Sequence, residues 1–246
     1  MPRELFIAGT QDDLAREAAG RFVEAARLSI ADHGRFAVAL SGGSTPRRLY
    51  GLLAQPPFVH AVDWRRVYVF FADERYVPPD DPESTLLLAR ETLLNRVPIP
   101  PENVFPMPTL GVEPEAAAAL HAETLASFFG APLPRFDLIL LGMGPDGHTA
   151  SLFPGRPDVP GAVAAIHDSP KPPPVRLTLT LEAINRADRI LFLVTGADKA
   201  ETLRAVFEGS AAGSSLPAAR VEAAGGQTAW LVDREAGSAA AEFVAR

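Results

Sequence analysis

The sequence predicts a doubly wound α/β fold, a mostly parallel sheet flanked by helices, and three observations carry that prediction. Short apolar runs alternate with helix-like stretches from end to end of the chain. Several runs are apolar on consecutive residues, the pattern of strands buried on both faces of a parallel sheet. The segments just after the runs are rich in glycine and polar side chains, and an open α/β sheet binds its ligands there.

In chain order, Glu4 to Ala8 (ELFIA) reads as the first strand and Asp12 to Ala31 as the first helix. Thr10 and Asp13 have the spacing of a capping box at that helix start. Phe36 to Leu40 (FAVAL) is a strand, and Pro46 to Leu53 a helix, with Thr45 as N-cap and Pro46 as its first residue. Val67 to Ala72, Asp137 to Gly142, Arg189 to Gly196 and Thr228 to Asp233 are the remaining strands. Pro114 to Phe129, Ala197 to Phe207 and Arg234 to Val244 are the remaining helices. This βαβα alternation is Rossmann-like. Two stretches break it: Val77 to Pro108 holds eight prolines and Phe153 to Pro174 seven. Both are flanked by strands that belong together, so they read as irregular excursions over one sheet, and residues 1–246 as a single domain.

Composition narrows the function. The chain has 246 residues, 47% hydrophobic and 22% charged, as in an ordinary soluble globular protein. Its net charge of −7 and the lack of a Lys/Arg block argue against nucleic acid as a partner. No cysteine is present, which excludes disulfides, thiolate metal sites and a cysteine nucleophile. The start MPRELFIAGT lacks a signal-peptide pattern, and no apolar run approaches the ~18 residues of a membrane span. The expectation is a cytoplasmic protein with no membrane partner. Lys171 and Lys199 are the only lysines.

Four segments can carry chemistry. In SGGSTPRR, Gly42 and Gly43 lead through Ser44 and Thr45 into a helix start, which suits a phosphate or serves as a bare tight turn. No lysine stands at the Walker A spacing. In LGMGPDGH, Gly142, Gly144 and Gly147 satisfy GxGxxG, with Asp168 about twenty residues on. A dinucleotide site needs a helix after the third glycine, and Pro154, Pro157 and Pro160 forbid one. The same loop offers His148 beside Asp146, an imidazole with an acceptor at hand and a candidate general base. No second ligand at short spacing supports a zinc site.

At the end of the third strand, Asp73 and Glu74 are adjacent on an extended chain and point to opposite faces, so they do not flank one bond. Arg75 either reaches an anion in the cleft or pairs locally with Asp73 or Asp80. Lys199 lies in the first turn of a helix, where a cation is mildly unfavourable, so an anionic partner is expected. Arg176 opens an alternating segment and reads equally as a solvated edge residue.

Taken in order, ALSGGSTPRRLY, FFADERYVPPDDPES, DLILLGMGPDGHTASLFPG and RLTLTLEAINRADRILFLVTGADKA resemble the 6-phosphogluconolactonase family, itself related to glucosamine-6-phosphate isomerase/deaminase. The resemblance spans nearly the whole chain. It implies hydrolysis of 6-phospho-D-glucono-1,5-lactone in the oxidative pentose phosphate pathway, with no metal or cofactor. It further implies a small sugar-phosphate lactone as partner and a monomer or weak homo-oligomer. By resemblance His148 is the general base and Asp146 its neighbour. Gly42, Gly43, Ser44 and Thr45 match the sugar-phosphate loop, and Arg75 and Lys199 the cations on the phosphate. Asp73 belongs with the substrate-binding residues, and Arg176 matches a basic position before the TLT strand. After DGH the deaminases resemble IAFNEPG, whereas this chain has Leu152 and Phe153 at the Asn-Glu positions. The family usually has Ser-Asn after its acidic loop; here Ser84 is followed by Thr85, which puts the loop geometry near Arg75 in question. The same fold without turnover, a sugar-phosphate sensor, is the reading from another class, and no helix-turn-helix output domain is expected beside a full α/β domain within these 246 residues.

Overall fold

A computed structural model describes residues 3–244, so the outermost residues of the expected 1–246 domain lie outside it. The strands are β1 (Glu4–Ala8), β2 (Phe36–Leu40), β3 (Val67–Phe71), β4 (Asp73–Arg75), β5 (Leu138–Leu141), β6 (Val163–Ile166), β7 (Arg176–Leu179), β8 (Arg189–Val194) and β9 (Gln227–Asp233). The α-helices are α1 (Gln11–His33), α2 (Ser44–Leu53), α3 (Phe58–Ala61), α4 (Thr85–Thr92), α5 (Pro114–Phe129), α6 (Leu181–Asn185), α7 (Ala200–Glu208) and α8 (Ala211–Ser214). Six strands form one wholly parallel sheet in the order β1-β9-β8-β5-β2-β3. The other three form a small antiparallel sheet in the order β4-β7-β6.

The continuous apolar runs are explained by cores on both faces of the parallel sheet. Phe36, Val38 and Leu40 of β2 pack into one core with Leu14, Ala18 and Phe22 of α1. Ala37 and Ala39 belong to the core on the opposite face, with Phe70, Phe136 and Ile139. The cap expected at α1 is formed: the Asp13 N–H donates to Thr10 Oγ1 at 3.1 Å. Among the described residues no helix is long and apolar enough to cross a membrane.

Three expectations about elements are corrected. The stretch from Val77 to Pro108 is not irregular throughout, because it contains α4, and its Val104 bridges to Val69 while the Phe105 N–H donates to the Val69 carbonyl at 2.8 Å. The stretch from Phe153 to Pro174 supplies β6 of the small sheet. The helix expected over Arg234 to Val244 is replaced by two short 3₁₀ turns, Ala236–Ala239 and Ala241–Phe243. There the Asp233 carboxylate accepts from the Ala236 N–H at 2.8 Å, and a Cβ on Gly237 would lie 2.9 Å from Ile7 Cδ1. Close packing of the backbone on β1 overrides the local helix propensity.

The sheet order places the reversal of direction between β2 and β5. From β2 the chain moves outward to β3, and after β3 it returns past β2 to β5 and continues to β8 and β9. A crevice opens at such a switch point, beyond the carboxyl ends of the two strands.

Candidate active site

Five segments far apart in sequence line that crevice, a pocket of about 280 Å³. The first follows β2. Ser41 is fixed by Tyr50, whose hydroxyl donates to the Ser41 carbonyl at 2.7 Å, and its own hydroxyl donates to the Leu140 carbonyl at 2.7 Å. Gly43 then turns the chain at φ +110°, a region that favours glycine, and α2 begins at Ser44. Thr45 is therefore not the N-cap: Gly43 holds that position, no side chain caps the helix, and Pro46 is its third residue. The Thr45 hydroxyl instead meets the Thr195 hydroxyl at 2.8 Å, tying this loop to the end of β8. The N–H groups of Gly42, Gly43, Ser44 and Thr45 make no hydrogen bond to the described residues. An uncapped helix start of this kind favours an anion.

The second segment is β4. Asp73 and Arg75 line the pocket, and Glu74 points the other way, as alternation on a strand requires. Asp73 is buried and its Oδ2 accepts from the Ser151 hydroxyl at 2.8 Å. Glu74 holds the start of α4, accepting from the N–H groups of Thr85 at 2.7 Å and Leu86 at 2.8 Å. Burial raises the Glu74 pKa, against the opposing pull of those backbone donors. Arg75 pairs with neither Asp73 nor Asp80. One guanidinium N–H donates to the Glu83 carbonyl at 2.8 Å, and the Glu83 carboxylate lies at 3.5 Å. Ser84 caps α4, accepting from the Leu87 N–H at 3.2 Å. The Thr85 hydroxyl at the departure from Ser-Asn is buried with no partner among the described residues, and a Cβ on Gly42 would lie 2.9 Å from it.

The third segment follows β5 and carries His148. Its Nδ1 lies 2.5 Å from Asp146 Oδ1, so Nδ1–H donates to the carboxylate and the lone pair is on Nε2. Nε2 has no partner among the described residues. Burial would raise the Asp146 carboxyl, but the hydrogen bond and charge of His148 outweigh it and hold that group below its ordinary value. The ring fits only because residue 144 is glycine: a Cβ there would lie 2.1 Å from His148 Cε1 and Nδ1. Phe153 is buried and its ring centroid lies 5.0 Å from that of the imidazole. No helix follows Gly147 before α6, in keeping with the prolines and against a dinucleotide loop.

The last two segments bring lysines. After β8, Lys199 closes a 3₁₀ turn just before α7, and its Nζ contacts the Asp198 carboxylate at 2.8 and 2.9 Å. The fifth segment precedes β7 and brings Lys171 to the pocket, a residue that sequence reasoning left without a role. Arg176 does not reach the pocket lining and is no solvated edge residue. It is 5% exposed on the central strand of the small sheet, and it donates to the carbonyls of Pro173, Lys171 and Pro172 at 2.8, 3.0 and 3.1 Å. Burial, and then the neighbouring Arg75, lower its pKa, with Asp73 pulling the other way.

The structure therefore brings together Gly42, Gly43, Ser44, Thr45, Asp73, Arg75, His148 and Lys199, with Asp146 directly behind the histidine and Arg176 beneath the loop that carries Lys171. Among the described residues no group of three or more His, Asp or Glu side chains is placed to hold a metal ion.

Fold and site define an α/β protein whose cation-lined crevice lies at the topological switch point of its sheet. The model of the glucosamine-6-phosphate isomerase/6-phosphogluconolactonase family matches residues 9–230, and the chain belongs to that family. A 6-phosphogluconolactonase of Synechocystis sp. is 42% identical over 212 residues, covering 85% of this chain and 86% of that protein. One from Mycobacterium tuberculosis is 42% identical over 246 residues, covering 96% of this chain and 98% of the relative. The structure of 6-phosphogluconolactonase from Trypanosoma cruzi matches with a TM-score of 0.84 at 30% identity, covering 97% of each chain.

Proposed function

We propose that this chain hydrolyses 6-phospho-D-glucono-1,5-lactone to 6-phospho-D-gluconate, as a carboxylic ester hydrolase of the oxidative pentose phosphate pathway. The observation that carries the proposal is His148, its Nδ1 committed to Asp146 at 2.5 Å and its Nε2 free, in one pocket with an uncapped helix start and cations. Nε2 takes a proton from a water molecule as the water oxygen attacks the lactone carbonyl carbon. The imidazolium, stabilised by Asp146, then returns the proton to the ring oxygen as the carbon–oxygen bond breaks. An ester leaving group is good enough that no covalent nucleophile is needed. The phosphate sits against Gly42 to Thr45 with Arg75 and Lys199, and this remote binding orients the ring for attack. Asp73 shapes the floor of the pocket through its bond to Ser151. Phe153 supports the lactonase over the isomerase/deaminase branch, since it sets an apolar ring against the imidazole where that branch has a carboxylate. In the same reading residues 1–246 form one domain, acting in the cytoplasm as a monomer or weak homo-oligomer on a small molecule and not on nucleic acid.

The test is hydrolysis of lactone freshly made by glucose-6-phosphate dehydrogenase, wild type beside His148→Ala, against the spontaneous rate. Wild type accelerates the reaction, and the variant loses ~10²–10⁴-fold in kcat with a smaller change in KM. Near-normal turnover by His148→Ala removes the histidine from the mechanism. No acceleration by wild type removes the lactonase.

A further inference from the structure

The loop that carries Asp146 and His148 is held by a side chain from outside the crevice. Thr202, in the first turn of α7, donates its hydroxyl proton to the Pro145 carbonyl at 2.6 Å, a bond that spans 57 residues. A threonine within a helix ordinarily bonds back to the carbonyl four residues earlier. Two in this chain do so: Thr92 on α4 to Leu88 at 2.6 Å, and Thr124 on α5 to Leu120 at 3.0 Å. Thr202 reaches out of its own helix instead, and it is not among the residues lining the crevice. Its bond acts one peptide away from the Asp146 carboxylate. A peptide unit is planar, so fixing the Pro145 carbonyl also fixes the nitrogen and Cα of Asp146. Beyond Asp146 the backbone holds itself. There the Gly147 N–H donates to the Gly144 carbonyl at 3.0 Å, and the Gly147 carbonyl accepts from the Ala218 N–H at 3.0 Å. Before Asp146, the one hydrogen bond of Pro145 among the described residues is that from Thr202. The Asp146 side chain is 39% exposed, so water competes for its oxygens, and its aim at His148 depends on where the main chain puts it.

We infer that Thr202 is a positioning residue for the Asp146–His148 pair: acting through Pro145, it aims the carboxylate at Nδ1 and so keeps Nε2 as the proton acceptor. This rests on the lactonase reading, in which His148 is the base. Asp146 stabilises the imidazolium only as it forms, so a misaimed carboxylate costs turnover rather than substrate binding.

The experiment compares wild type, Thr202→Val, Thr202→Ser and Thr124→Val. The last removes a helix hydroxyl outside the crevice lining, bonded only to its own helix. Three readouts are taken: lactone kinetics, titration with inorganic phosphate by calorimetry, and long-range proton–nitrogen spectra of protein labelled at histidine. The spectra, recorded above the imidazole titration range, give the share of the Nδ1–H tautomer at His148, whose signal is the one absent from His148→Ala. Thr202→Val lowers kcat about tenfold, leaves KM and phosphate affinity within about twofold, and lowers the Nδ1–H share. Thr202→Ser restores kcat and tautomer together, and Thr124→Val matches wild type. A kcat for Thr202→Val within about twofold of wild type overturns the inference, and so does a lowered kcat with an unchanged tautomer. Loss of phosphate affinity in Thr202→Val overturns it as well, because α7, whose N-cap is Lys199, has then shifted as a whole. Should wild type fail to hydrolyse the lactone, the functional reading falls, while the His148 tautomer in Thr202→Val still decides whether the hydroxyl positions the pair.

Discussion

His121 makes the protein sensitive to acid in a way that can be isolated. It lies on α5, 1% exposed, and its Nε2 has no partner among the described residues. Burial alone depresses its pKa from 6.5 to about 4. The folded state thus keeps the ring neutral where the unfolded chain protonates it, so the unfolded state binds more protons and stability falls with falling pH. The contribution is intact above pH 6.5 and is lost as pH drops toward 4, at up to ~1.4 kcal/mol per pH unit. Between pH 7 and pH 5 the loss is about 2 kcal/mol, and over the whole window about 3 kcal/mol, a large part of a typical domain's ~5–15 kcal/mol. His121→Leu replaces the ring with an apolar group of similar size and removes the titration. Urea unfolding followed by the fluorescence of the buried Trp64 and Trp230 measures both proteins at each pH. Other titrating groups are common to both, so the difference between the two curves is read. The variant gains about 2 kcal/mol on wild type as pH falls from 7 to 5. Parallel curves would falsify the account of His121 as a buried neutral ring.

Two further substitutions test the close contacts of the site. Gly144→Ala places a methyl group where the imidazole now stands, so kcat falls at least ~10²-fold, toward the value of His148→Ala, while phosphate titration still shows binding. Full activity in that variant contradicts the position given for the ring. Thr85→Val removes a buried hydroxyl that has no partner and keeps the side-chain shape, so thermal unfolding shows stability unchanged or raised by up to about 1 kcal/mol. A loss of more than 1 kcal/mol reveals a partner for that hydroxyl.

The parallel sheet was legible because burial on both faces leaves its mark along a strand without help from elsewhere. Phe36 to Leu40 is buried at every position, and its apolar run ends where the strand ends. The small sheet left no such mark. β4 is only the three residues Asp73, Glu74 and Arg75, and its strand character comes from pairing with β7 rather than from its own side chains. His148, Asp146 and the glycine loop could be found because each follows directly on a legible strand. Lys171 could not, because its place depends on Arg176 reaching back to three carbonyls across a proline-rich bend. The start of α2 was misplaced for a related reason: Thr45 has the chemistry of an N-cap, but Thr195, 150 residues away, claims its hydroxyl. Arg176 read equally as a solvated edge residue because neighbours in sequence do not disclose that β7 is the middle strand of its sheet.

The scarcity of lysine has a practical side. The only two side-chain amines among 246 residues, Lys171 and Lys199, both open onto the same crevice. Reagents that acylate or reductively alkylate amines will, apart from a terminal amine, report on this crevice alone, and a bound phosphate ester will shield it. Coupling to a surface or a dye through lysine will block the pocket, so a working immobilised form has to be attached through other chemistry.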